Sequence, residues 1–126
     1  MKFYRCEKCG KILAQVQGSR CEMVQCCGQP MSIMEANTTD AATEKHVPVI
    51  EQNGNIVTVT VGSVTHPMME EHFIQWILLE TKQGNQRKVL KAGEAPEAKF
   101  AILDGDEVVA AYEYCNLHGL WKKEQQ

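Results

Sequence analysis

Val47-Pro48-Val49-Ile50-Glu51-Gln52-Asn53-Gly54-Asn55-Ile56-Val57-Thr58-Val59-Thr60-Val61 is the stretch that decides the fold. Its second half is built from β-branched residues, whose stiff side chains suit a pleated, half-buried surface better than a helix. Asn53-Gly54 is a strong hairpin-turn signal, because tight two-residue turns need positive φ. The stretch therefore predicts a β-hairpin. Outward from it the pattern recurs: Phe73 to Thr81 is a strand apolar on nearly both faces, and Gln83-Gly84-Asn85 turns into Gln86-Arg87-Lys88-Val89-Leu90. Ala98 to Leu103 and Glu107 to Cys115 are two further strands joined by Asp104-Gly105-Asp106. Short strands punctuated by turns, with no long amphipathic helix, predict a mainly β chain folded as an antiparallel β-sandwich. Proline is accepted at the first helical position, so Met68-Met69-Glu70-Glu71 after Pro67 is expected to make one helical turn that swings His72 back toward His66.

Upstream of the hairpin lies a different unit. Five of the six cysteines fall in residues 1–36: Cys6 and Cys9 in Cys6-Glu7-Lys8-Cys9-Gly10, then Cys21, then the adjacent Cys26-Cys27. A segment this short buries too little apolar surface to fold alone, so a metal is expected to supply the missing free energy. Gly10 suits a tight knuckle that turns amide N–H groups back at the sulfurs. Lys11 to Val16 reads as a short strand and Gly28-Gln29-Pro30 as a turn. Five cysteines compete for four places on a tetrahedral ion, and on the residues alone two sets remain open. One uses the adjacent pair Cys26 and Cys27; the other, ribbon-like, uses Cys21 in place of one of them. Residues 37–45 are small and polar without periodicity and read as the joint between the two units, so the chain divides at 1–36 and 37–126.

The chain has 126 residues, enough for one ordinary domain or two small ones, and a 44% apolar content supports a core. Net charge is -3, from 13 Lys and Arg against 16 Asp and Glu, which leaves no basic footprint for nucleic acid or an anionic membrane. No apolar run approaches the roughly 20 residues of a spanning helix, and the first residues lack the apolar core of a secretory signal. The expectation is a soluble cytoplasmic protein, in which cysteines more often hold metals than form disulfides.

The four histidines and the sixth cysteine suggest a second centre. Glu44-Lys45-His46-Val47-Pro48 sets an acid, a base and a candidate ligand side by side at the edge of the strands. His66 stands in Thr65-His66-Pro67, His72 six residues on, and Cys115-Asn116-Leu117-His118 closes the last predicted strand. Imidazole and thiolate are borderline-to-soft donors suited to iron, zinc or copper rather than magnesium or calcium. Zinc usually closes its shell at about four ligands, so five donors overcrowd it, whereas iron accepts five and leaves a sixth position.

These motifs together resemble the desulfoferrodoxin family, the two-iron form of superoxide reductase, over essentially the whole chain. The resemblance implies a desulforedoxin-like first unit, in which a C-x-x-C followed by two consecutive cysteines selects Cys6, Cys9, Cys26 and Cys27 as ligands of one iron. It implies an immunoglobulin-like sandwich holding a second iron through His46, His66, His72, His118 and Cys115. Four neutral imidazoles leave the +2 charge of ferrous iron untouched and one thiolate brings it to a net +1, which attracts a small anion. In the family the anion is superoxide, reduced by one electron to hydrogen peroxide without release of dioxygen. Lys45 is then expected to add positive potential at the mouth and help order the proton source. Glu44 is expected to bind the oxidised iron after the product leaves. A small electron donor such as rubredoxin and a homodimer are implied in the same way. Two other functions fit the same residues: a superoxide dismutase using the same iron, or a non-enzymatic electron-transfer or metal-scaffold protein with both clusters structural.

Overall fold

The computed structural model describes residues 1–125. Its regular secondary structure is nearly all strand, and it separates into two compact units, Met1–Glu35 and the remainder from Ala36.

In the first unit, strands β1 (Phe3–Arg5) and β2 (Ile12–Ala14) pair antiparallel. A two-residue hairpin, β3 (Gln25–Cys26) and β4 (Gln29–Pro30), follows, and β5 (Ser32–Ile33) returns to the other edge of β1. The hairpin's turn is Cys27-Gly28, both at positive φ (55° and 74°), so the turn lies one residue earlier than Gly28-Gln29-Pro30. Pro30 instead opposes Gln25 in the strand pair. The core is small, Tyr4, Cys6 and Met31 with Val24 and Cys26 against them. That matches the expectation of a unit that needs a further source of stability.

The second unit opens with a single helical turn, α1 (Thr43–His46), that falls in the stretch read as a joint. It is too short to show periodicity, and Pro48 ends it by forcing Val47 into extended backbone at ψ 125°. Strands β6 (Pro48–Asn53) and β7 (Ile56–Val61) form the predicted hairpin, with Asn53 opposite Ile56. Gly54 takes φ 62° and Asn55 stays at negative φ, the turn type with glycine at its first central position. After β8 (Ile74–Thr81), β9 (Gly84–Val89), β10 (Glu97–Ala101) and β11 (Val108–Cys115) comes β12 (Gly119–Glu124), which sequence patterning missed because Lys122-Lys123-Glu124 is polar throughout. Two sheets result, ordered β10-β7-β6 and β12-β11-β8-β9, all neighbours antiparallel.

The core lies between the inward faces. Val57, Val59 and Val61 of β7 meet Ile77 and Leu79 of β8, with Ala98 and Phe100 of β10 and Ala111 and Cys115 of β11. The alternation in β7 is what period-two patterning dictates, and each buried valine stabilises the fold by about 1.5–3 kcal/mol. Asn37 protects the outer edge of β12 by acting as a substitute strand: its side chain accepts from Lys122 N at 2.8 Å and donates to Lys122 O at 3.1 Å. No helix of the described residues is long and apolar enough to cross a membrane.

Candidate metal centres

The first unit gathers Cys6, Cys9, Cys26 and Cys27, with all four sulfurs within 4.8 Å of one another. Cys21, the fifth cysteine, is exposed and lies outside this group. The Cys9–Cys26 and Cys26–Cys27 sulfur separations are 3.7 and 3.8 Å, far beyond a disulfide. They match the edge, about 3.8 Å, of a tetrahedron with metal–sulfur bonds of about 2.3 Å. The left-handed backbone at Cys27 lets adjacent cysteines present both sulfurs to one point. The amide of Cys9 points at Cys6 Sγ from 3.5 Å and helps pull that thiol down to about 6. Cys27, facing the sulfurs of Cys9 and Cys26, is pushed up to about 12. Four sulfurs this close resist sharing negative charge unless a cation sits among them, and the donor set fits iron or zinc.

The second unit brings together His46, His66, His72, Cys115 and His118. His46 ends α1, His66 follows β7, His72 precedes β8, Cys115 ends β11 and His118 precedes β12. Met68 to Glu71 is not helical: Met69 and His72 exchange backbone hydrogen bonds of 3.0 Å in both directions, making a tight β-turn. That turn brings His72 to His66, ring centroids 4.7 Å apart. The four imidazoles close a circle, His46–His66–His72–His118, each steeply inclined to its neighbours, with centroids 4.6 to 5.0 Å apart.

Proton positions decide what this circle can hold. His46 Nδ1 donates to Ala42 O at 2.7 Å and His66 Nδ1 donates to Pro67 O at 2.6 Å. In the neutral rings both Nε2 atoms therefore carry lone pairs, and they face each other at 3.1 Å. Burial holds both rings below the usual histidine range, His66 at about 4, so a proton is a poor mediator between them. The buried Nε2 of His72 has no hydrogen-bond partner among the described residues. His46 Nε2 also lies 3.0 Å from His118 Nδ1. Lone pairs converging on one buried point, with outer nitrogens anchored to carbonyls, are what a metal-binding histidine set requires. With metal–nitrogen bonds of about 2.1 Å, right-angle neighbours lie about 3.0 Å apart and tetrahedral ones about 3.4 Å. The observed 3.0 and 3.1 Å bring these nitrogens close enough to share one transition-metal ion.

Cys115 is fully buried, 3.9 Å from His118 Nδ1. Burial raises its thiol, while the nearby backbone amides of Leu117 and His118 favour the thiolate. His46 and His66 are buried, whereas His72 and His118 are half-buried, so the centre is reached from the His72–His118 side. Glu44 and Lys45 are exposed on α1 and supply none of the five converging donors. The charge of Lys45 nevertheless reaches the site, lowering the pKa of His46 and His72. Glu44 lines a groove of about 380 Å³ with Val47, Val49, Ile50 and Lys123.

Several residues that shape the centre escaped the sequence reading because they carry no donor chemistry. Asn116 accepts from Phe73 N at 2.9 Å and donates to Glu71 O at 3.1 Å, clamping both flanks of His72 to the Cys115–His118 turn. Trp121 stacks on His46 and donates to His118 O. Gly62, at φ 83°, lets the backbone after β7 pass against the carbonyls of Glu44 and Lys45. Glu113 is fully buried with both carboxylate oxygens unpartnered, and burial raises its pKa to about 9.

A four-sulfur cluster on a small strand unit and a four-imidazole, one-thiolate cluster on an antiparallel sandwich define a β-rich protein with two candidate metal centres. The Desulfoferrodoxin family profile matches residues 38–124, and the chain belongs to that family. It is 51% identical to a desulfoferrodoxin of Nitratidesulfovibrio vulgaris, over 98% of this chain and 95% of the relative. The superoxide reductase of Treponema pallidum superposes with a TM-score of 0.81 at 39% identity, covering 97% of this chain and 98% of that one. A shorter superoxide reductase (1Fe-SOR) of Giardia intestinalis covers 66% of this chain and 98% of its own, with a TM-score of 0.57 and 36% identity.

Proposed function

We propose that the protein is a superoxide reductase, converting superoxide to hydrogen peroxide by one-electron reduction with electrons from a small donor protein such as rubredoxin. In this reading residues 1–36 are a four-cysteine iron domain and residues 37–126 the catalytic iron domain. The observation that carries it is the facing pair of Nε2 lone pairs, His46 and His66, within the circle of imidazoles beside Cys115. The superoxide reductases among its structural relatives support the same reading. Bound at the five donors, iron supplies the electron that superoxide takes and the positive charge that draws the anion in.

The chain's own residues set the conditions for that transfer. Ala42 O and Pro67 O fix the histidine tautomers, so His46 and His66 offer Nε2 without reorganising. The thiolate of Cys115 would donate electron density, and the nearby Leu117 and His118 amides favour that thiolate. Lys45 places an ammonium near the reachable His72–His118 side, adding to the attraction for a small anion and helping to order a proton source for the peroxide. Glu44, from the same turn, offers a carboxylate to the oxidised site, where the extra positive charge favours it. A homodimer and a cytoplasmic location complete the reading; six free cysteines suit a reducing compartment.

The test is the yield of hydrogen peroxide and dioxygen per superoxide consumed by iron-loaded, pre-reduced protein with excess donor. One peroxide per superoxide without catalysed dioxygen establishes reduction. Dioxygen together with half that peroxide indicates dismutation, and no acceleration of superoxide loss indicates an electron-transfer or scaffold protein.

A further inference from the structure

The C-terminal cluster draws ligands from segments 72 residues apart, and one side chain outside the donor set touches two of them. Trp121 on β12 is 2% exposed. Its indole stacks on the His46 ring, centroids 4.9 Å apart at an interplanar angle of 26°. The indole Nε1–H, the ring's one donor, spends its hydrogen bond on His118 O at 3.1 Å. His46 enters from α1 ahead of the three-stranded sheet, while His118 and Trp121 belong to the four-stranded sheet.

We infer that Trp121 is a positioning residue of the iron centre, fixing the ring plane of His46 and the backbone of His118 through one rigid indole. The inference rests on reading the cluster as an iron site. A stacked ring has one free rotation, about its normal, and His46 loses that through its Nδ1–H bond to Ala42 O. The two restraints together define the ring's direction. At the other end, the bond to His118 O holds the turn that joins His118 to Cys115, whose Sγ lies 3.9 Å from His118 Nδ1. Through that turn the indole sets how the His118 ring and the Cys115 sulfur face each other, and so the surroundings of the sulfur.

Two substitutions separate the restraints. Trp121→Phe keeps an aromatic face for His46 and removes the bond to His118 O; Trp121→Leu removes both. Full-length iron-loaded protein is read by the thiolate-to-iron charge-transfer band of the C-terminal centre, its midpoint potential, and chelator competition for that iron. Trp121→Phe is expected to move the band and the potential while iron affinity falls only a few-fold. Trp121→Leu is expected to weaken iron binding by about ten- to a hundred-fold as well. Trp76→Phe, which changes another buried indole, one stacked on Tyr114, controls for loss of volume and should leave band and potential in place. A band and potential in Trp121→Phe that move no further than in Trp76→Phe overturn the inference, and Trp121→Phe carries the test where Trp121→Leu fails to fold. Iron missing from the five-donor site of the unaltered protein would instead remove the functional reading beneath it.

Discussion

Gly62 is the point where the backbone is closest to failing, and its replacement tests how the site is held. A methyl group built there lies under 3.0 Å from three backbone oxygens, those of Val64, Lys45 and Glu44. None of these is the end of a flexible side chain, so the chain itself has to move. The φ of 83° adds the left-handed penalty for any residue with a Cβ, about 1–2 kcal/mol. Overpacking against fixed backbone adds about 1–3 kcal/mol, so Gly62→Ala is expected to cost roughly 2–5 kcal/mol. For a unit of this size each kcal/mol lowers Tm by about 4–8 °C, which gives a fall of roughly 8–40 °C. Gly105 provides the control: its φ is 86°, and nothing lies within 4 Å of the Cβ that alanine would add. Gly105→Ala isolates the dihedral cost, roughly 4–15 °C. The carbonyl of Glu44 accepts from Val64 N at 2.9 Å and from Ser63 Oγ at 3.3 Å, so displacing it displaces the turn that carries His46. Calorimetry with iron analysis of the two variants therefore has a paired expectation: Gly62→Ala melts lower and loses C-terminal iron, Gly105→Ala retains it. Equal melting temperatures with full iron in both would refute the claim that close packing at Gly62 holds the site.

Three further outcomes are expected. Lys45→Ala should slow superoxide consumption and flatten its salt dependence, since an exposed charge acts through a screened field; an unchanged salt slope by pulse radiolysis removes Lys45 from the mechanism. Cys21→Ser should leave the four-sulfur absorption and the iron content intact, and loss of either would return Cys21 to the ligand set. Glu113→Met exchanges an unpartnered buried carboxyl for an apolar chain of similar shape and should raise stability by about 1–3 kcal/mol; a lower Tm would show that the carboxyl is satisfied or required.

What could be read from the sequence divides by physical cause. The β6–β7 hairpin announced itself because Val57, Val59 and Val61 alternate and a glycine stands at the turn. The donors were legible as residue types, since few other roles account for a C-x-x-C, a later adjacent cysteine pair and four histidines in a short chain. β12 was hidden because its outer residues are charged and its pairing with β11 is a tertiary fact. The turn at Met69–His72 was misread because proline permits a helix start without requiring one, and two reciprocal backbone bonds won. Asn116 and Trp121 were invisible as site residues for a different reason: what they do depends on which backbone atoms come within reach, and no local pattern encodes that.

Convergence of the five donors follows from topology more than from any motif. Antiparallel pairing sets Pro48 at the start of β6 opposite Val61 at the end of β7. It likewise sets Ile74 at the start of β8, and Gly119 at the start of β12, opposite Cys115 at the end of β11. His46, His66, His72, Cys115 and His118 each fall within five residues of one of these ends, so strand register within each sheet and the packing of the two sheets gather them at one pole of the sandwich. A register slip of one residue would turn Cys115 from the core face to the other, which makes correct β8–β11 pairing a precondition of the centre. The irregularity in that pairing between Tyr114 and Cys115 lies next to the ligand, where a bulge re-aims a side chain. The sheets can therefore form before the metal arrives, and iron binding is expected to order the pole's loops and α1 rather than to create the sandwich.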